Sequence, residues 1–216
     1  MKKIAVVLSG SGVYDGSEIH EAVLALLAIE KHGAQWHCFA PNINQHHVIN
    51  HITGEEMDTT RNVLIESARL ARGNISDITT LDVNQYDALL LPGGFGAAKN
   101  LTDFAFKGAQ CTINESVAAA CRAFAEVKKP AGYICIAPVI IPMIYSKGVQ
   151  GTIGDDKEAS DAFNALGGQH ISSSIEDVVF DPEHRVFSTS AYMATENLLE
   201  ASVGIESLVK QLVEMA

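Results

Sequence analysis

The chain alternates between short unbroken apolar runs and longer stretches in which apolar positions recur every three or four residues. The first pattern reads as buried strands and the second as amphipathic helices. The apolar run at 4–8 is closed by Ser9-Gly10-Ser11-Gly12. Ser17 is placed to cap a helix with Glu18 and Glu21 in its first turn, running to about His32 before Gly33 stops it. A strand at 36–40 is closed by Pro41-Asn42, and 51–54 reads as a small hairpin or loop excursion. Helical spacing returns at 60–72. Ala88-Leu89-Leu90-Leu91 is a strand ended by Pro92-Gly93-Gly94-Phe95-Gly96, and 115–127 is an amphipathic helix. A strand at 131–135 leads into a helix at 137–145, where Pro138 is tolerated in the first turn. A helix at 156–166, two hairpin strands at 178–180 and 186–188, and a long helix at 193–214 complete the pattern.

Five or six strands interleaved with helices predict a three-layer α/β/α sandwich on a mostly parallel, doubly wound sheet. No linker or repeat divides the 216 residues, so the chain reads as one domain, 1–216. An apolar fraction of 47% supports a substantial core. Fifteen basic against 26 acidic residues give a net charge of −11, a surface that disfavours nucleic acid and anionic membranes as partners. The stretch from Ala131 to Tyr145 holds Pro138 and Pro142 and is too short for a membrane span. Cys38, Cys111, Cys121 and Cys135 form no C-x-x-C pair or zinc-site spacing, which predicts free thiols and a cytoplasmic protein.

Ligands bind at the carboxyl ends of the strands in such sheets. Three segments fall at strand ends: Gly10–Gly16, Gly93–Gly96 and Cys135. The first has the spacing G-x-G-x-x-x-G, and Cys38-Phe39-Ala40-Pro41 offers no carboxylate for a ribose, so a dinucleotide cofactor is not expected. Pro92-Gly93-Gly94-Phe95-Gly96 either presents backbone N–H groups to an oxyanion or only permits a sharp exit from the strand. Cys135, at a strand-to-helix turn, is placed as an exposed nucleophile, although buried filler is the commoner fate of such a thiol. Glu18 and Glu21 read first as dipole and cap partners, and periodicity does not turn Glu21 inward. His46, His47 and His51 read as a polar loop rather than a metal site, Cys38 and Cys121 as packed, and Cys111 as a loop thiol.

Together these segments resemble the class I glutamine-amidotransferase-like superfamily, which includes the PfpI proteases, and more closely the ElbB family. The resemblance is carried by Leu8 to Glu21, Thr60-Arg61-Asn62-Val63-Leu64-Ile65-Glu66, Pro92 to Asn100, Cys135-Ile136-Ala137-Pro138 and Ala191-Tyr192-Met193. It implies a flavodoxin-like fold and a homodimer. It also implies Cys135 as nucleophile, Glu21 as its carboxyl partner, and Gly94 and Ile136 as oxyanion-hole donors. Ile136 stands where glutamine amidotransferases and PfpI-type proteases often carry a histidine, and Asp155 or Asp156 where a deglycase-like branch carries one. Ser11 replaces a cysteine found in some ElbB relatives. Amide hydrolysis wants that imidazole. The expected activity is therefore a glutathione-independent glyoxalase acting on a small-molecule aldehyde, glyoxal or methylglyoxal, with no cofactor or metal. A deglycase of early glycation adducts and a thiol redox-sensing or binding protein are the alternatives.

Overall fold

The computed structural model describes residues 1–216. Its elements in chain order are β1 (Lys3–Val7), α1 (Ile19–Lys31), β2 (Gln35–Ala40), α2 (Val63–Leu70), β3 (Ile75–Asp77) and β4 (Ala88–Leu91). There follow α3 (Phe104–Lys107), α4 (Glu115–Glu126), β5 (Ala131–Ile134), α5 (Ile141–Ile144) and β6 (Gln150–Gly151). The chain ends with α6 (Lys157–Ala165), β7 (Gln169–His170), β8 (Val179–Asp181), β9 (Val186–Thr189) and α7 (Leu198–Met215).

Seven strands pair in the order β3-β2-β1-β4-β5-β9-β8, all parallel except the antiparallel β8. Strand periodicity then sorts the apolar residues into two layers. Ala5, Val7, Leu89, Leu91 and Tyr133 join one core with Phe124 of α4, while Ile4, Val6, Leu90 and Ile134 join the other with Ile29 of α1 and Leu208 of α7. The result is the expected flavodoxin-like arrangement, a mostly parallel sheet with helices on both sides. No helix is long and apolar enough to cross a membrane.

The differences from the sequence reading lie at element ends. Glu18, not Ser17, caps α1, its carboxylate accepting from Glu21 N; the Ser17 hydroxyl instead accepts from Ser9 N at 2.8 Å. Asn62 caps α2 and shortens the helix expected from 60 to 72. Pro138 and Pro142 each sit at a helix start, so 137–145 divides into a 3-10 turn, Ala137–Ile140, and then α5. Asn197 caps α7, and the segment from Met193 to it leads into the helix rather than joining it. β3, β6, β7 and α3 are two to four residues long, too short to leave a periodic signal.

On α7, Leu208 packs over Gly132, where an added Cβ would lie 2.8 Å from both Leu208 Cδ2 and Leu90 Cδ1. Leu208 is fully buried. Leu208→Ala is expected to cost about 2–5 kcal/mol, read as a lowered urea midpoint with an unchanged denaturant slope.

Candidate active site

β1, β4, β5 and β9 are neighbours at the centre of the sheet, and their carboxyl ends form one rim. The strand order reverses at β1, the place where such sheets open a crevice for ligand. Cys135 follows β5 with φ +64, the left-handed region. That conformation costs a non-glycine residue about 1–3 kcal/mol and survives only where the surroundings enforce it. Here Cys135 N donates to Thr189 O of β9 at 2.9 Å, extending the ladder through the bend. The sharp turn presents the sulfur to the backbone N–H groups of Gly94 and Ile136.

Glu21, one turn into α1, is completely buried. Gly93 N donates to its Oε2 at 3.0 Å and Tyr192 N to its Oε1 at 3.4 Å. Its own N–H donates to Glu18 Oε2 at 2.7 Å. The helix start is tied to the β4 loop by Glu18 N donating to Gly93 O at 3.0 Å. The Glu21 carboxyl and the Cys135 side chain lie side by side against Gly93, which makes their approach possible. A Cβ at Gly93 would stand 2.5 Å from Cys135 Cβ and 2.8 Å from Glu21 Oε2. Gly94, at φ +93, would collide with Glu18 N and Gly16 O if it carried a side chain.

Burial is the main force on the Glu21 carboxyl. The polar interaction with Cys135 opposes it, the charge of Glu18 adds to it, and the net result is a pKa raised from 4.5 to about 8. Burial pushes the Cys135 thiol up as well, and an ionised Glu21 would push it further; the Gly94 and Ile136 N–H groups pull it down. The like-charge contribution disappears while Glu21 keeps its proton. The two groups therefore act as one unit in which a proton is shared between carboxyl and sulfur.

Cys135 lies at the floor of a cavity of about 530 Å³, bounded by Gly94 and Phe95 on one side and by α3, α6 and Tyr192 on the others. Cys135, Gly94 and Ile136 all border it, and Glu21 stands behind the thiol. No histidine lines it. Asp156 does, but its carboxylate caps α6 by accepting from Ala159 N at 2.7 Å; Asp155 instead accepts from the Ser172 hydroxyl. His20 lies outside the lining, with Nδ1 2.9 Å from the Tyr192 hydroxyl and 3.8 Å from Glu18 Oε1.

The remaining candidates fall elsewhere. His46 and His47 pack on Phe106, with ring centroids 4.1 and 5.5 Å away, and His51 lies 3.9 Å from Asp15. All four cysteines are free. Burial pushes Cys38 and Cys121 up to about 12. Cys111 lies in a loop, as read, and is buried there with its Sγ 3.6 Å from Met143 Sδ. Two residues of the site had no signal of their own. Tyr192 supplies a backbone N–H, which every residue but proline carries. Asn100 is buried and donates through Nδ2 to Ser9 O and Asp15 O, both at 2.9 Å, and accepts from His46 N, which staples three loops around the site.

No family model matches the chain. The ES1 protein homolog of Rattus norvegicus is 41% identical over 223 residues, covering 99% of this chain and 84% of the relative. The glutamine amidotransferase-like class 1 domain-containing protein 3 of Homo sapiens is 40% identical, covering 99% and 83%. The chain belongs to this ES1 and glutamine amidotransferase-like class 1 family. A solved isoprenoid biosynthesis protein with an amidotransferase-like domain from Ehrlichia chaffeensis is 38% identical, with a TM-score of 0.93 over 100% of this chain and 99% of that one. DJ-1beta of Drosophila melanogaster, 16% identical with a TM-score of 0.54 over 100% of this chain and 95% of that one, shares the fold alone.

The family corrects one expectation. The rat, human and Danio rerio ES1-type relatives are all named mitochondrial, which points to a mitochondrial rather than a cytoplasmic location. Free thiols report a reducing environment and do not separate one reducing compartment from another.

The buried carboxyl carries a stability signature. Between pH 4.5 and about 8 the unfolded chain releases the Glu21 proton while the folded chain keeps it, so this group lowers stability as pH rises through that window. Glu21→Gln removes the penalty. Its gain in unfolding free energy over the parent is expected to widen from pH 5 to pH 8 by on the order of 4 kcal/mol and then level off. Urea unfolding at several pH values checks this, and a constant gap would place the carboxyl's pKa in the ordinary range.

Proposed function

We propose that this protein is a glutathione-independent glyoxalase of the ElbB type, a single-domain enzyme that converts glyoxal, and methylglyoxal, to the 2-hydroxy acid. The supporting observation is the shielded Glu21 carboxyl beside the Cys135 thiol at the floor of a cavity. The lack of a histidine in the lining argues against glutamine or peptide hydrolysis, which must protonate an amine leaving group.

In the reactive form the pair holds one proton, on Glu21, and the sulfur is a thiolate. Sulfur attacks one aldehyde carbon and forms the S–C bond. The carbonyl electrons move to oxygen, which the Gly94 and Ile136 N–H groups steady, and that oxygen takes the Glu21 proton. The hemithioacetal forms, and Glu21 is left as a carboxylate beside it. It then removes the proton from the carbon bearing sulfur, giving an enediol, and returns a proton to the neighbouring carbon. The product is a 2-hydroxyacyl thioester of Cys135. Water adds to its carbonyl, the C–S bond breaks, and glycolate or lactate leaves. The balance is aldehyde plus water to hydroxy acid, with no net oxidation. The same carboxyl serves twice because burial lets it hold a proton at neutral pH and yet give it up.

Purified protein is expected to form glycolate from glyoxal. Cys135→Ala should abolish turnover, and Glu21→Gln should lower kcat roughly 10²–10⁴-fold. Below pH about 8 the pair carries two protons, so kcat/KM should rise about tenfold per pH unit and level off near that value. Glycolate formation that persists undiminished in Cys135→Ala would sink the proposal.

A further inference from the structure

The cavity over Cys135 is far larger than glyoxal needs. Its volume of about 530 Å³ is in the range of pockets that enclose drug-sized ligands. Its walls are apolar: Val13, Phe95, Phe104, Phe106, Ile136 and Met193. Phe104 and Phe106 project from α3 and face α6 across the opening, and Phe106 is backed by the His46 ring at 4.1 Å. A two-carbon aldehyde bonded to Cys135 would leave these surfaces untouched.

The charges in the lining are all of one sign. Glu18, Asp156 and Glu158 border the cavity, and no lysine, arginine or histidine does. Cations near the walls are engaged elsewhere. Lys99 donates to Tyr14 O at 2.9 Å and lies over the Phe95 ring, Lys107 pairs with Asp103 at 2.6 Å, and Lys157 pairs with Asp161. Glu18 and Asp156 cap helices, whereas the Glu158 carboxylate is exposed. A substrate with a carboxylate or phosphate would meet repulsion at the mouth and find no counter-ion inside.

We infer that the preferred substrate is an α-oxoaldehyde whose second carbonyl bears an uncharged apolar group of aromatic size. This rests on the glyoxalase reading for the chemistry and on the cavity for the choice of substrate. The aldehyde carbon would meet the Cys135 sulfur while the apolar group fills the space between α3 and α6. In a filled apolar subsite each added methylene is worth roughly 10–200-fold in kcat/KM.

The test compares glyoxal, phenylglyoxal and 4-carboxyphenylglyoxal as substrates of the full chain. In parallel, benzaldehyde and 4-carboxybenzaldehyde, which add to a thiol but cannot isomerise, are used to protect Cys135 from iodoacetamide, read by intact mass. Phenylglyoxal is expected to exceed glyoxal at least tenfold in kcat/KM, and the carboxylated analogue to fall at least tenfold below phenylglyoxal. Glu158→Lys should recover much of the second difference, and Phe106→Ser should shrink the first. Benzaldehyde should protect at a concentration at least tenfold lower than its carboxylated form. Cys135-dependent turnover with no preference among the three substrates would overturn this inference and leave the glyoxalase reading standing. Selective protection by benzaldehyde without turnover would overturn the glyoxalase reading and, with it, the substrate claim, leaving only a binding preference of the cavity for uncharged apolar aldehydes. Equal protection by both benzaldehydes would overturn the inference whatever the turnover.

Discussion

A side chain that is missing, the one Gly93 lacks, allows a carboxyl on α1 to reach a thiol at the end of β5. Any Cβ there would press on both groups at once. The rest of the site follows from that contact. Because the carboxyl is sealed from water, its charged form is costly, and it keeps a proton where an exposed glutamate would not. Because the thiol must face it, Cys135 is held in a backbone conformation that L-residues avoid, with Thr189 O on β9 fixing its N–H. Backbone N–H groups from Gly93 and Tyr192 then orient the carboxyl.

The sequence reading reached the fold through its longest signals. Uninterrupted apolar runs such as Ala88-Leu89-Leu90-Leu91 can be satisfied only by burial on both faces, which is what a central parallel strand provides. Elements of two to four residues left no period to detect. At the site, Cys135 was legible because a thiol at a strand end has a definite place in the topology. Glu21 was legible only through resemblance. On a helix as broadly apolar as α1, composition does not say which polar residue turns inward, and the answer depends on Gly93 lying 72 positions away along the chain. Asn100 was unreadable for a related reason, since its partners Ser9, Asp15 and His46 converge only once the sheet has formed. Location failed differently: thiol state reflects redox potential, which compartments share.

Two kinds of structure divide the work around the thiol. The strands give precision, because parallel pairing fixes where β4, β5 and β9 end relative to one another. The loops and short helices give shape, because α3 and α6 set the width and polarity of the space above the sulfur. Cys135 sits at the end of a strand and Glu21 in the first turn of α1, whereas the cavity walls belong to the loops and short helices. Changes in the walls can therefore alter what enters without disturbing the pair beneath.

The site also draws on pieces of chain scattered from Glu18 to Tyr192, joined through strand pairings that are distant in sequence. No local fragment contains it. During folding, the loop-closure entropy of bringing these ends together must be met before the thiol and carboxyl meet. A nascent or partly opened chain thus carries an ordinary cysteine and an ordinary glutamate, both hydrated and far apart. The raised proton affinity of the pair exists only in the finished molecule, so it is a property of the whole topology and arrives last.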